Sequence, residues 1–259
     1  MLITRSIGYL AAALVLAADC TLHAQENPPA QPQFKGELIY LRDYGTDDIA
    51  YLVVPEQPPA CGIVIVPDGY GIDAEIKKQA DALSRKGYLV LVADLYNGAV
   101  TPNPQQADRM IADLMEKSVL ASLKTSVNFF QTSPRFKVDK VAMVAVGGTA
   151  SHVAKFVLKK DSGLTSVVFL EPPALPAQEL LDGIRCPAQF LAGPDCRIES
   201  TVRAALVQNK SASIEIRDVP AGPNGRKGMG SKEWTAAEEF IRRGLTQEKK
   251  ENILQKLFD

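Results

Sequence analysis

Short apolar runs alternate along this chain with longer stretches of helical period. Ile63–Val66 and Val141–Val146 are continuously apolar, as strands buried on both faces require. Tyr88–Ala93, Ser166–Leu170, Ala188–Leu191 and Ser213–Val219 read as further strands, and Glu37–Leu41 and Ala50–Val54 as two shorter ones before them. Between them lie helical patterns. Ala74–Lys86 sets Ile76, Ala80 and Leu83 on one side. Pro104–Gln131 is a long helical stretch with a break expected near Lys117–Ser118. Ala150–Lys159, Pro176–Leu181 and Thr201–Gln208 are shorter, and Pro176 suits a first helical position. Lys232–Gly244 and Gln247–Phe258 are predicted as two closing helices. The second places Ile253, Leu254 and Leu257 on one side.

This alternation predicts an α/β domain with a mainly parallel central sheet and helices on both faces. Ligands of such sheets bind at the carboxyl ends of the strands. The chain has 259 residues and is 46% hydrophobic, which suits one domain with a sizeable core. Lys and Arg total 29 against 30 Asp and Glu, a net charge of −1. No basic excess is present to hold a polyanion, so a nucleic-acid partner is not expected.

The amino terminus has the pattern of an export signal. Arg5 precedes an apolar stretch, Ile7–Ala18, that is short for a bilayer span, and Leu22-His23-Ala24 offers a cleavage site. Residues 1–24 are thus expected to be removed, leaving a secreted or periplasmic protein with no membrane span. Asp19 stands where a lipoprotein signal wants a small residue, which disfavours lipidation at Cys20. Residues 25–35, rich in Pro and Gln, read as a disordered tether before a single domain spanning 36–259. Cys61, Cys186 and Cys196 would remain, an odd number, and they read as small buried hydrophobes rather than a disulfide framework.

The segment Lys140-Val-Ala-Met-Val-Ala-Val-Gly-Gly-Thr-Ala150 is a buried strand running into a turn of small residues and then a helix. Ile63-Val-Ile-Val-Pro-Asp-Gly-Tyr-Gly71 is a strand with a glycine-rich loop. Lys86-Gly-Tyr-Leu-Val-Leu-Val-Ala-Asp-Leu-Tyr96 is another strand with an Asp-Leu-Tyr ending. With Ala50-Tyr-Leu-Val-Val-Pro55, these segments resemble the dienelactone hydrolase family, over roughly residues 36–245. The resemblance implies an α/β-hydrolase fold with a nucleophile–His–acid triad. It assigns the nucleophile position to Gly147, the acid to Asp195 and the histidine to Asn224. It assigns the oxyanion amides to Gly69 and Gly148, and a pocket carboxylate to Asp68.

Two of those positions hold residues that cannot do the family's chemistry. Gly147 has no side chain with which to attack, and the amide of Asn224 is not a usable base. The chain has only two histidines, His23 and His152. Thr149 and His152, three residues apart, form the alternative nucleophile–base pair; a polar histidine packed beside the turn is the plainer reading.

Tyr70 and Tyr96 follow strand ends and are candidate pocket residues. Asp68, Asp94, Glu171 and Asp195 also follow strands, but nothing has the spacing of a known metal loop. Gly225–Lys232 approaches a phosphate-binding loop with Ser231 and Lys232 in reversed order, and reads as a flexible surface loop. No metal or cofactor is expected. The expected partner is a small, carbonyl-bearing ligand bound without turnover. An active ester or lactone hydrolase, and a structural protein with a vestigial pocket, are the alternatives.

Overall fold

The computed structural model describes residues 33–59, 61–174, 183–197, 214–220, 226 and 228–258, with side chains described as far as residue 245. The strands are β1 (Glu37–Tyr40), β2 (Ile49–Val53), β3 (Gly62–Val66), β4 (Leu89–Ala93), β5 (Val141–Val146), β6 (Ser166–Leu170), β7 (Ala188–Ala192) and β8 (Ile214–Asp218). Among the described residues they form one eight-stranded sheet in the order β1-β2-β4-β3-β5-β6-β7-β8. The β1–β2 and β2–β4 pairs are antiparallel, and all others are parallel.

Each central strand feeds both sides of the sheet. Along β3, Val64 and Val66 enter one core while Ile63 and Ile65 enter the other. The first core is covered by α3 (Glu116–Thr132) and α4 (Ala150–Val157), which bring Leu123, Phe130 and Phe156. The second is covered by α1 (Ala74–Arg85) and α5 (Ser231–Phe258), with Ile76, Trp234 and Phe240. Both faces being dry explains why β3, β4 and β5 read as continuous apolar runs rather than alternating ones. The rings of Phe169 and Phe190, on neighbouring strands, stack at 4.5 Å.

Several boundaries differ from the sequence expectation. The interruption after α2 (Pro104–Ala112) falls at Asp113–Met115, earlier than Lys117–Ser118. Asp113 closes α2 through its N–H to the Arg109 carbonyl, and Met115 is extended before α3. The closing segment is one helix, not two. Gly244 lies inside it in open space, and a lone glycine costs a helix only about 1 kcal/mol. The compact unit that holds the sheet starts at Phe34, within the stretch read as a tether. The Lys35 N–H donates to Asp81 and the Gly36 N–H to the Tyr51 hydroxyl, fastening this segment to α1 and β2.

The expected helices Pro176–Leu181 and Thr201–Gln208 lie outside the described residues, as do the side chains of Ile253, Leu254 and Leu257. Cys61, Cys186 and Cys196 form no disulfide among the described residues, and burial pushes the Cys186 thiol up to about 11. Among the described residues no helix is long and apolar enough to cross a membrane.

Candidate active site

The chain leaves β3 toward β4 on one side of the sheet and later places β5 on the other. The loops after β3 and β5 therefore part at their carboxyl ends, the usual ligand crevice of an open α/β sheet. A cavity of about 410 Å³ lies there, lined by Asp68, Gly69, Tyr70, Gly147, Gly148, Pro173 and one side of α2.

The floor is the turn after β5. Gly147 has φ +55°, a left-handed conformation that glycine adopts without steric cost. Gly147–Thr149 form a single 3₁₀ turn, and α4 follows directly. Thr149 is fully buried. Its hydroxyl donates to the carbonyls of Val146 at 3.0 Å and Val66 at 3.4 Å, tying the turn to β3. His152 is half-buried on α4, with its Nδ1 3.5 Å from the Ser151 hydroxyl. Burial, then the nearby Lys155 charge, holds this imidazole below its ordinary pKa, while Glu116 acts in the opposite sense.

The roof is α2, capped by Asn103, whose side chain accepts from the Gln106 N–H, and opened by Pro104 at its first position. This helix presses on both glycines. A Cβ at Gly69 would stand 1.9 Å from the Ala107 carbonyl oxygen, and one at Gly148 would stand 2.6 Å from Ile111 Cδ1. Glycine is thus required at Gly69 by close approach of backbone to backbone.

The polar wall follows β3. The Asp68 carboxylate accepts from the Tyr70 N–H at 3.2 Å, and Gly71 turns the chain at φ +77° toward α1. Asp73 caps α1 by accepting from the Ile76 N–H at 3.0 Å. Arg226, ahead of α5, joins these groups. Its Nη1 bonds Asp73, its Nη2 lies 3.7 Å from Asp68, and its Cζ sits 4.4 Å over the Tyr70 ring. Burial raises the Asp68 carboxyl to about 6, even though Arg226 and the Tyr70 N–H favour its charged form.

Asp68, Gly69, Tyr70, Gly147 and Gly148, expected from sequence, thus line one cavity. Other expected residues do not. Tyr96 is buried behind the wall, with its hydroxyl 3.5 Å from the Pro67 carbonyl. Asp195 is exposed after β7 in a separate groove of about 770 Å³, with Pro194 and Arg197; Pro173 borders both spaces. Asn224 lies outside the described residues. Asp94 braces a turn by accepting from the Tyr96 and Gly98 N–H groups. Sequence reasoning missed Arg226, although it follows directly on the loop to which the resemblance assigns a histidine. It also missed the α2 roof, where Ala107 and Ile111 follow the helical period.

A model of the dienelactone hydrolase family matches residues 49–209, well over half of the chain. The chain belongs to the dienelactone hydrolase family. Protein usf of Aquifex pyrophilus is 27% identical over 126 residues, 45% of this chain and 53% of that protein. A Bradyrhizobium protein described as a probable 2-oxo-3-(5-oxofuran-2-ylidene)propanoate lactonase is 25% identical over 118 residues, 42% of this chain and 47% of its own. The chain thus spans about half the length of the curated relatives it matches. Among solved structures, a dienelactone hydrolase-like promiscuous phosphotriesterase from metagenomic libraries has a TM-score of 0.64 at 16% identity. It covers 80% of this chain and 97% of its own, a likeness of fold.

Proposed function

We propose that this chain is a degenerate dienelactone-hydrolase relative that binds a small carbonyl-bearing molecule without hydrolysing it. The observation that carries this reading is the left-handed turn at Gly147, open to the cavity and without a nucleophilic side chain. An acyl-transfer enzyme of this fold needs a hydroxyl or thiol at that turn and a base within reach of it. The cavity is lined instead by Gly69 and Gly148, the positions to which the family resemblance assigns the amides that would receive a carbonyl oxygen.

The alternative nucleophile Thr149 has its hydroxyl turned onto two backbone carbonyls, which speaks against a hydrolase built on Thr149 and His152. A cavity of about 410 Å³ speaks against a vestigial, closed site. Export by residues 1–24 forms part of the proposal and rests on the signal-like sequence pattern.

The test is hydrolysis of short aryl esters and of a dienelactone by the purified protein, beside its His152→Ala and Asp195→Ala variants. The expected outcome is no rate above background for any of the three. A saturable rate abolished in His152→Ala would overturn the reading and make Thr149–His152 the reactive pair.

A further inference from the structure

We infer that β1 is an interface strand: two copies of this chain join along it, antiparallel and edge to edge, doubling the eight-stranded sheet. The inference is independent of what the cavity binds.

β1 closes one edge of the sheet and, among the described residues, pairs only with β2. The Leu41 N–H donates to the Asp48 carbonyl, while the Ile49 carbonyl faces the other way and accepts from the Asp94 N–H. Hydrogen-bonded pairs alternate along an antiparallel ladder. Glu37, Ile39 and Leu41 therefore bond toward β2, and Leu38 and Tyr40 direct their N–H and C=O groups outward. Those same two residues are 64% and 68% exposed, large apolar side chains on one face of an edge strand. The opposite edge is built differently. There β8 carries Glu215, Arg217 and Asp218, charges of the kind that blunt strand addition.

The β1 edge is complementary to itself. A two-fold axis perpendicular to the sheet keeps each side chain on its own face, so opposed residues must both be odd-numbered or both even-numbered. Gly36 does not extend the ladder, because its N–H is held by the Tyr51 hydroxyl, and Arg42 begins a 3₁₀ turn. The register that uses the strand alone is centred on Ile39. Leu38 of each copy then stands opposite Tyr40 of its partner, exchanging both backbone hydrogen bonds and making an aliphatic–aromatic pair. The two Ile39 residues meet on the axis as a non-hydrogen-bonded pair. Beyond the strand ends, the exposed Lys35 of one copy comes toward the exposed Asp43 of the other, opposite in charge. A four-residue strand makes a small contact, so a weak dimer with Kd of roughly 1–100 µM is expected.

Sedimentation velocity of the purified protein from about 1 to 500 µM spans that range. The sedimenting mass is expected to rise from one chain toward two. Leu38→Lys sets a charge against the partner's strand, and Leu38→Pro removes an outward N–H; neither breaks a bond to β2. Each is expected to weaken association at least tenfold. Ile39→Cys reads the register and stands even if Leu38→Pro disturbs β1. Residues opposed in a non-hydrogen-bonded pair lie about 4.5 Å apart at Cα, within disulfide reach, whereas the two Leu38 positions are offset. Under mild oxidation Ile39→Cys is expected to form a covalent dimer beyond any seen with the native chain or Leu38→Cys. A chain that stays monomeric throughout, a dimer that Leu38→Lys leaves unchanged, or no excess cross-link in Ile39→Cys would overturn the inference.

Discussion

Single residues carry the chemistry of this site, and glycines set its shape. Gly69 and Gly148 both lie under α2, but they meet different obstacles. An added methyl at Gly69 would strike helix backbone at Ala107, whereas at Gly148 it would meet only the end of the Ile111 side chain. Gly69→Ala is therefore expected to dislodge α2 and abolish ligand binding, and Gly148→Ala to weaken it modestly. Equal losses of affinity in the two variants would contradict this account of the roof. Asp68 supplies a pH dependence. In the folded chain it holds its proton to about pH 6, whereas an unfolded chain releases it near 4. Folding thus takes up a proton between those values, so the stability this group contributes is full below pH about 4 and is lost as pH rises through about 6. The shift corresponds to on the order of 3 kcal/mol. The stability of the native chain relative to Asp68→Asn, measured by urea unfolding, is expected to fall by roughly that amount from pH 4 to pH 7. A difference that stays flat across this range would contradict the buried-carboxyl assignment. Gly147, Gly69, Gly148 and Asp68 were legible because each sits in a short local motif after an apolar strand. Arg226 was not, because its partner Asp73 lies 153 residues away and only folding joins them.

At the scale of elements, the apolar runs located the central strands closely, since burial on both faces leaves β3, β4 and β5 without polar side chains. Helix ends were harder to read. The α2–α3 interruption depends on how Asp113 and Met115 terminate and restart the hydrogen-bond ladder, and no breaker residue marks it. Conversely, Gly244 suggested a stop where the helix continues, because one glycine is a small cost beside α5's packing at Trp234, Ala237 and Ile241. The packing of α3 gives a prediction at this scale. The Phe130 ring lies over Gly62, where a Cβ would come within 2.8 Å of it. Phe130 is also fully buried. Phe130→Ala is expected to cost about 3–5 kcal/mol in chemical unfolding. A loss below about 1 kcal/mol would mean that α3 does not seat against β3 in this way.

For the whole molecule, sequence and structure agree on one family and one sheet, and that agreement stops short of an activity. The same carboxyl edge of the sheet presents an open cavity at Gly147 and, apart from it, an exposed Asp195. A working triad needs nucleophile, base and acid within mutual reach. The central claim, binding without turnover, is tested most directly by following one ester and the protein together. In an NMR titration with 4-nitrophenyl butyrate, the amide signals of Gly69, Tyr70 and Gly148 are expected to shift saturably. The ester signals should meanwhile decay no faster than in buffer alone. Growth of nitrophenolate and butyrate in proportion to protein concentration would contradict the account and restore this chain to the hydrolases.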